Sequence, residues 1–359
     1  MTNRERMIKT LLCEKTDRAP FPMWLGFAPW GETLERWRKE SGVADLDLVK
    51  VFGFEPFFQW APLEFGPLPH FEQKTIEETP EFIISTDWRG ITMRNRRDGH
   101  SMPEWIRHPI RTRADWDKYK AERLQPRLPE RAAKVEQFAA DSAKVDAAIQ
   151  VGGFPWGVFG TPRDLLGAEE ILYAFYDDPD MIHDMMKTYV DLWLALYEAA
   201  AKKVRIDHIH IWEDMSGKQG SLISMRMVED FMMPEYARIA AFAKRHKIPV
   251  FSVDSDGLVD ELVPTMMKYG INAFLPFEVQ AGNSVEEFRR LYPKLGILGG
   301  LDKNALAKGK KELHKELDRA EHMLALGGYV PGFDHLIAPD ATWPNFKYFV
   351  ERLRKMILG

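Results

Sequence analysis

Short apolar runs alternate with longer amphipathic stretches along the second half of the chain. The runs carry β-branched and aromatic residues, whereas the stretches between them repeat apolar residues at helical spacing. These runs lie at residues 147–152, 206–212, 248–253, 272–277, 295–299 and 329–333. Strands that alternate with helices in this way predict a sheet of parallel strands.

Two earlier apolar runs, at residues 21–27 and 53–60, raise the number of predicted strands to eight. Ser284 and Glu287 form the pattern of a capping box at the start of one intervening helix. The pattern predicts an α/β fold, a closed (β/α)8 TIM barrel, with an open doubly wound sheet as the alternative. No Gly-x-Gly-x-x-Gly or P-loop sequence follows a predicted strand, which argues against a nucleotide-binding sheet.

Two segments depart from the strand and helix alternation. Residues 1–15 repeat apolar positions at helical spacing and predict an N-terminal helical extension. Residues 61–146 contain a predicted β-hairpin that turns near Arg89 and Gly90, followed by a polar helical stretch. Because the apolar content of residues 61–146 is low, we interpret them as an insertion into a single domain that spans residues 1–359.

Composition excludes several functional classes. The chain of 359 residues has 49 basic and 54 acidic residues, a net charge of −5 and no basic block, so nucleic-acid binding is not expected. Its one cysteine, Cys13, rules out an internal disulfide framework and a cysteine-rich zinc site. No apolar stretch approaches the roughly 20 residues that span a bilayer, so we expect a cytoplasmic protein that does not bind membranes.

Acidic residues and histidines collect where the predicted strands end, which is where the active sites of TIM barrels lie. Any one of them can instead be a helix cap or a rim residue. Together they form a ring of acids with few cations, which favours a divalent metal or a cationic group over a phosphate. The set comprises His208, His210, Glu213, Asp214, Asp254, Asp256, Glu278, Asp302, Asp334 and His335.

Asp254 and Asp256 end the strand predicted at residues 248–253. Residues at i and i+2 of an extended chain point to the same side, and two adjacent carboxylates require a metal, a proton or a cation. The alternative is a simple turn through Gly257, with one aspartate capping the next helix. His208 and His210 have the same spacing, so they are either a metal pair or include one histidine that faces the helical layer.

Glu213 and Asp214 follow a strand that ends at the same edge. Neighbouring carboxylates oppose each other's ionisation, so we expect at least one of them to line the pocket with a raised pKa.

Aromatic residues cluster in the predicted loops above the strands. Such residues either pack in the core or line an apolar ligand pocket. The substrate-binding candidates are Trp24, Trp30, Trp156, Phe159 and Trp212, together with His210 and Glu278.

Several motifs resemble the uroporphyrinogen decarboxylase superfamily over nearly the whole chain. They are Val-Gly-Gly-Phe-Pro-Trp-Gly from residue 151, Ile-Trp-Glu-Asp-Met from 211, Asp-Ser-Asp-Gly from 254, Gly-Gly-Leu-Asp from 299, and the C-terminal Gly-Gly-Tyr from 327 with Phe-Asp-His-Leu-Ile-Ala-Pro-Asp from 333. The resemblance implies a TIM barrel and either of two activities, that of the haem-pathway decarboxylase or that of corrinoid-dependent methyltransferases. The decarboxylase branch carries an arginine-containing N-terminal segment, but residues 24–30 of this chain contain no arginine.

In the methyltransferases of this superfamily, a His-x-Cys pair and a later cysteine bind zinc. The resemblance places Asp254, Asp256 and His335 at those three positions, so they are implied either as zinc ligands or as general acids, and we expect them to converge. The corrinoid-binding motif Asp-x-His-x-x-Gly is absent from the chain, which implies a corrinoid held by a partner protein.

The prediction is therefore an enzyme, a methyltransferase that demethylates a methyl ether, expected to be a methoxylated aromatic. It passes the methyl group to cob(I)alamin on a partner corrinoid protein. Its predicted catalytic residues are Glu213, Asp214, Asp254, Asp256 and His335. The alternatives are a decarboxylase or lyase that acts on another small acid, and a non-catalytic ligand-binding barrel. A homodimer is compatible with all three.

Overall fold

The structure is a computed structural model that describes residues 1–97 and 102–359. Its α-helices are α1 (Asn3–Leu11), α2 (Gly31–Ser41), α3 (Leu48–Phe52), α4 (Arg113–Arg123), α5 (Leu128–Arg131), α6 (Val135–Ser142), α7 (Gly160–Leu166), α8 (Glu170–Asp177), α9 (Pro179–Ala201), α10 (Met225–Met227), α11 (Met233–His246), α12 (Leu262–Met267), α13 (Val285–Leu291), α14 (Ala305–Lys308), α15 (Lys310–Leu326) and α16 (Trp343–Leu358). The strands are β1 (Phe58–Trp60), β2 (Lys74–Glu78), β3 (Phe82–Thr86), β4 (Thr92–Arg96), β5 (Glu104–Arg107), β6 (Ala148–Gly152), β7 (His208–Trp212), β8 (Ser216–Gly217), β9 (Gly220–Ser221), β10 (Val250–Asp254), β11 (Ala273–Leu275), β12 (Gly296–Leu298) and β13 (Tyr329–Val330).

A curled parallel sheet forms the centre of the fold. Within the described residues it has seven strands in the order β1-β6-β7-β10-β11-β12-β13. Each strand pairs in parallel with its neighbour, and helices connect most successive strands. The predicted α/β fold with parallel pairing is confirmed, and the sheet is TIM-barrel-like.

The prediction of a regular strand at residues 21–27 is wrong. Pro22 makes only an isolated parallel bridge to Glu55, and a 3-10 helix follows at Leu25–Phe27. On the other side, the backbone N–H of Phe333 donates to the Gly26 carbonyl at 2.9 Å. The segment thus contacts the chain beside both outer strands of the curled sheet without forming a ladder, since proline lacks the N–H that a ladder needs.

Side chains alternate between the two faces of the curled sheet. In β10, Phe251 and Val253 belong to the core that packs against the outer helices, whereas Val250 belongs to the inner core. Residues at i and i+2 of a strand share a face, so Ser252 and Asp254 point inward with Val250. This alternation decides which polar residues reach the interior.

Helix α1 packs against one end of the curled sheet. It contacts β6, β12 and β13, and Leu11 at its end is fully buried. A Cβ added to Gly296 in β12 would lie 2.5 Å from the Leu11 carbonyl oxygen, so only glycine permits this approach. Since Asp254 and Trp60 end strands at the opposite, carboxyl edge, the interior is accessible from that edge.

Residues 61–146 contain an antiparallel sheet in the order β2-β3-β4-β5, together with α4, α5 and α6. The hairpin predicted near Arg89 and Gly90 is confirmed, because β3 pairs with β4 and Thr86 lies opposite Thr92. Strands β1 and β6 pair directly on either side of this segment. The segment therefore leaves the parallel sheet uninterrupted. Among the described residues, no helix is long and apolar enough to cross a bilayer.

Candidate functional site

A cavity of about 450 Å³ lies inside the curled sheet, and it extends from Leu11 at the α1 end to the carboxyl ends of β1, β6 and β10. Its lining combines aromatic and aliphatic side chains with a few polar groups, and it includes no lysine or arginine from the described residues. The lining residues are Leu11, Trp24, Leu25, Phe57, Phe58, Trp60, Gln150, Gly152, Phe154, His208, His210, Ser252, Asp254, Leu275 and Leu298. An apolar cavity with few converging polar groups is typical of small-molecule sites. A larger hollow of about 850 Å³ beside α1 includes none of the predicted site residues.

Two histidines share one serine in the wall of this cavity. Ser252 lies opposite His210 in the register of β10 and β7. Its hydroxyl is 2.6 Å from His208 Nε2 and 2.7 Å from His210 Nδ1. Burial lowers the pKa of His210 to about 4 and that of His208 well below its usual value, which the charge of His210 lowers further. Both imidazoles are therefore neutral at pH 7.

The carboxyl group of Asp254 faces the same cavity. Its side chain is 14% exposed and lies 4.0 Å from His210 Nε2, beyond hydrogen-bond distance. It forms no hydrogen bond with the rest of the described chain. Burial raises the pKa of Asp254 well above its usual value, and the charges of Asp256 and Asp214 raise it further. This arrangement favours a protonated carboxyl group.

Asp256 and His335 form a partly exposed pair nearby, with 3.4 Å between Oδ2 and Nε2. Burial lowers the pKa of His335, but the hydrogen bond and charge of Asp256 outweigh burial and raise it overall. Glu278 accepts a hydrogen bond from the Gly257 backbone N–H at 3.0 Å and lies 3.6 Å from Lys303 Nζ. These residues form a polar group of paired charges.

The three implied zinc ligands do not form a three-ligand set in this geometry. His335 contacts Asp256, as expected, whereas Asp254 faces His210. No group of three or more His, Cys, Asp or Glu side chains within residues 1–97 and 102–359 is arranged to hold a metal ion. In this arrangement the three residues do not share one ligand set, and zinc binding stays a prediction.

Glu213 occupies a different environment from the one expected of a catalytic residue. It is fully buried and does not line the cavity. Its carboxylate accepts hydrogen bonds from the backbone N–H groups of Val158, Phe159 and Gly160 at 3.0, 2.7 and 3.0 Å, and from the Tyr236 hydroxyl at 2.5 Å. Burial raises the pKa of Glu213, and these hydrogen bonds oppose the rise. The catalytic role does not fit, because a carboxylate with four donors and no exposed surface has no access to a substrate.

Asp214 is held by Arg163, whose Nη1 lies 2.8 Å from its Oδ2. Asp214 has a φ of 44°, in the left-handed region, so the backbone turns sharply at this residue. Asp214 does not line the cavity, and its carboxylate is paired with the Arg163 cation. Its influence on the site is the charge that raises the pKa of Asp254.

The predicted aromatic residues separate into two groups. Trp24 lines the cavity, and its indole N–H donates to the Pro331 carbonyl at 3.0 Å. Phe159 is fully buried against Phe175 and lies outside the cavity lining, so its substrate contact stays a prediction without support in this geometry. Trp156 packs against three aromatic rings of the outer core and is not part of the lining.

Trp30 and Trp212 lie outside the cavity lining. Trp30 is 37% exposed and precedes helix α2. Trp212 packs edge-on against Phe154, with ring centroids 4.9 Å apart, and the guanidinium carbon of Arg163 lies over the Trp212 ring at 5.1 Å from its centroid. Trp212 therefore reaches the cavity only through its contact with Phe154, and the substrate contacts of both residues stay predictions.

The sequence interpretation missed several lining residues, above all Ser252, Gln150, Trp60 and Phe154. The first two carried a usable signal. Ser252 precedes Asp254 by two positions, and Gln150 lies opposite His208 in the register of β6 and β7. Alternation along the strand therefore indicates that they share the inner face.

A curled parallel sheet with a cavity at the carboxyl ends of its strands defines a TIM-barrel-like α/β protein. A family model described as uroporphyrinogen decarboxylase (URO-D) matches residues 90–356, well over half of the chain. The chain belongs to the uroporphyrinogen decarboxylase family.

Among solved structures, a methyltransferase from Methanosarcina mazei is similar in fold. The two chains share 16% identity with a TM-score of 0.62, and the match covers 99% of each chain. At this identity the likeness concerns the fold alone. A comparison with curated proteins found no match.

Proposed function

We propose that the protein is a methyltransferase that removes the methyl group from an uncharged aryl methyl ether bound in the 450 Å³ cavity. The observation that carries the proposal is the buried carboxyl group of Asp254 in an apolar, aromatic-lined cavity without lysine or arginine from the described chain. Family membership and the methyltransferase fold neighbour support it.

The chemical difficulty in this reaction is the leaving oxygen. When the bond between the methyl carbon and the oxygen breaks, its electron pair stays on the oxygen, which then needs a proton. Asp254 donates that proton, and burial, which raises its pKa, favours the protonated form that donation requires. The aromatic walls hold the ring and exclude water.

The proposed methyl acceptor is cob(I)alamin carried by a partner corrinoid protein, which would supply the electron pair for the new bond to the methyl carbon. Two exposed aromatic residues of the cavity lining, Trp60 at 55% and Phe154 at 73%, offer the partner an apolar rim. Exposed aromatic residues of this kind are typical of interface centres. Trp156, by contrast, packs internally and lies outside this surface.

Decarboxylation of a polycarboxylate is less compatible with this cavity. Anionic substrates need cations or oriented donors, but the lining contributes one buried acid and no lysine or arginine from the described residues. A small anionic substrate that is decarboxylated faster than any ether is demethylated would favour that alternative.

The test is a panel of aryl methyl ethers with cob(I)alamin, with phenol release followed by chromatography. Asp254→Asn should lower methyl transfer by roughly 10²-fold or more, since it removes the proton donor. Asp260→Asn, the same change at an exposed aspartate of the adjacent loop, is the matched control. Full activity of Asp254→Asn would refute the acid role.

Metal analysis separates proton donation from Lewis-acid assistance. If one zinc per chain copurifies and is lost in both Asp256→Asn and His335→Gln, coordination of the leaving oxygen replaces Asp254 as its activator. Proton donation predicts that chelators leave the transfer rate unchanged.

Docking is tested by comparing free cob(I)alamin with a corrinoid protein as acceptor. Trp60→Ala and Phe154→Ala should impair transfer to the protein-bound corrinoid more than transfer to the free cofactor. Tyr176→Ala is the control, because Tyr176 is 75% exposed and lies outside the cavity lining. Equal impairment with both acceptors would assign the two residues to substrate binding alone.

A further inference from the structure

The hydrogen-bond chain His208–Ser252–His210 has a direction. A serine hydroxyl has one hydrogen, so it cannot donate to both imidazoles. His208 Nε2 and His210 Nδ1 nevertheless lie 2.6 and 2.7 Å from Ser252 Oγ. At least one histidine must therefore donate its own N–H to the serine oxygen.

The environment of His208 selects the direction. Its Nδ1 is buried and has no hydrogen-bond partner in the described residues. If Ser252 donated to His208 Nε2, the hydrogen of His208 would lie on this orphaned Nδ1. Buried N–H groups without an acceptor are rarer than buried acceptors without a donor. The favoured direction therefore runs from His208 Nε2–H to Ser252, and from the Ser252 hydroxyl to His210 Nδ1.

The remaining arrangement, in which both histidines donate to Ser252, is also disfavoured. It would leave the hydroxyl hydrogen of Ser252 without an acceptor, since the hydroxyl forms no third hydrogen bond within the described chain. Ser252 is only 1% exposed, so that hydrogen would be buried unpaired, which costs about 1–3 kcal/mol.

The direction determines what His210 presents to the cavity. With Nδ1 accepting from Ser252, the imidazole hydrogen lies on Nε2, the atom that is 4.0 Å from Asp254 Oδ2. That separation is too long for a direct hydrogen bond, yet an oxygen placed beside the line between the two atoms can lie about 2.8 Å from both. The gap thus suits one oxygen atom of a ligand.

We propose that His208 and Ser252 are positioning residues that hold His210 as its Nε2–H tautomer, so that His210 donates a hydrogen bond to the ether oxygen of the substrate next to Asp254. The inference rests on the proposed function for the identity of the substrate. It deepens that function by naming the chemical class that the site recognises, a neutral hydrogen-bond acceptor. A site that offers N–H to the leaving atom selects a hydrogen-bond acceptor. An ether oxygen has lone pairs to accept, whereas a protonated methylamine does not, so the site takes neutral ethers and rejects methylammonium compounds.

The role in the reaction follows from the electron balance of the transfer. As the bond from carbon to oxygen breaks, negative charge develops on the oxygen, which receives the His210 hydrogen bond and then the Asp254 proton. A cobalt(I) corrinoid held by the partner protein would accept the methyl group and supply the electron pair for the new bond. A donor aimed at a developing oxyanion contributes on the order of 10²-fold to the rate.

The first experiment reads the tautomer directly. In the full-length protein labelled with 15N-histidine, the two ring nitrogens of His210 are assigned with His210→Gln and followed by nitrogen chemical shift. The expected result is a protonated Nε2 and a bare Nδ1 in the wild type, a loss of this preference in Ser252→Ala, and its recovery in Ser252→Thr, which keeps the hydroxyl. A protonated Nδ1 in the wild type, or an unchanged tautomer in Ser252→Ala, would overturn the proposal.

The second experiment uses ethers whose leaving phenols differ in acidity. Ser252→Ala should lose roughly 10²-fold with poorly acidic phenols and much less with acidic ones, because acidic phenols need little help. A loss of activity that is the same across the series of ethers would indicate a structural role for Ser252 and refute the proposal.

Binding separates this inference from the proposed function. Titration with a neutral aryl methyl ether, without any corrinoid, should shift the His210 Nε2 resonance, whereas the matched aryl methylammonium should not. If the ether binds in this way but no ether is ever demethylated, the proposed function fails and the recognition proposal stands. If the methylammonium binds as tightly as the ether, the recognition proposal fails.

Discussion

Replacing Glu213 with glutamine tests whether this buried carboxylate is structural. One oxygen accepts from the Val158 N–H and the Tyr236 hydroxyl, and the other accepts from the N–H groups of Phe159 and Gly160. The amide nitrogen of glutamine cannot accept. Of the two orientations of the glutamine amide, the more favourable one places the nitrogen beside Val158 and Tyr236, because the tyrosine hydroxyl can rotate and accept a hydrogen bond from it. One buried backbone N–H is then orphaned.

The magnitude follows from that count. An orphaned buried N–H costs about 1–3 kcal/mol, and the remaining hydrogen bonds lose the extra strength that a charged acceptor provides. We expect Glu213→Gln to lower the free energy of unfolding by about 2–4 kcal/mol. Tyr236→Phe removes only the hydroxyl donor and should cost roughly 1–2 kcal/mol.

The assay is urea unfolding at pH 7 followed by tryptophan fluorescence, with methyl transfer measured on the folded fraction. Glu351→Gln is the control, because Glu351 lies in an exposed ion pair with Lys347 and should change little. Wild-type stability of Glu213→Gln together with a loss of activity of about 10²-fold, the size expected for general acid–base groups, would refute the structural role and restore the catalytic one.

Three further predictions concern the pH dependence caused by His210, the acid Asp254, and the close backbone approach at Gly157. Because the pKa of His210 in the native state is lowered to about 4, His210 binds a proton in the unfolded chain at pH values where it stays neutral in the native state. The free energy of unfolding should therefore fall as the pH drops from about 6.5 towards 4, and His210→Gln should flatten this fall in urea titrations. The raised native pKa of Asp254 has the opposite effect on stability. The free energy of unfolding should fall as the pH rises above the range in which an aspartate ordinarily titrates. Asp254→Asn should raise the melting temperature at pH 7 and leave it unchanged near pH 3. A Cβ at position 157 would lie 1.9 Å from the Trp212 carbonyl oxygen, so Gly157→Ala should prevent folding. The control Gly217→Ala, with nothing within 4 Å, should fold normally when both are compared by circular dichroism.

The regular strands were predictable because buried parallel strands are continuous apolar runs. The run at residues 248–253 became β10, and the hairpin near Gly90 was located by its turn residue. The run at residues 21–27 looks the same locally, yet it forms a single bridge and a 3-10 helix. Its conformation depends on contacts with Glu55 and Phe333, which lie far away in the sequence.

The candidate site was predictable in part. Trp24, His210 and Asp254 line the cavity, and their roles in binding or catalysis stay predictions. Glu213 shows the limit, because nothing in its local sequence indicates that three backbone N–H groups and Tyr236 surround its carboxylate. Ser252 shows the reverse, since an ordinary serine in a strand acquires two histidine partners only when β7 and β10 pair in register.

The sequence by itself determined the parallel α/β architecture, the clustering of acids at strand ends and the family, because hydrophobic periodicity and motif spacing are local properties of the chain. The tertiary structure alone decided which acid is solvated, paired or buried. Whether a carboxylate such as Asp254 keeps its proton depends on desolvation and on charges brought by other strands. Those quantities arise only when the sheet curls and encloses its inner face.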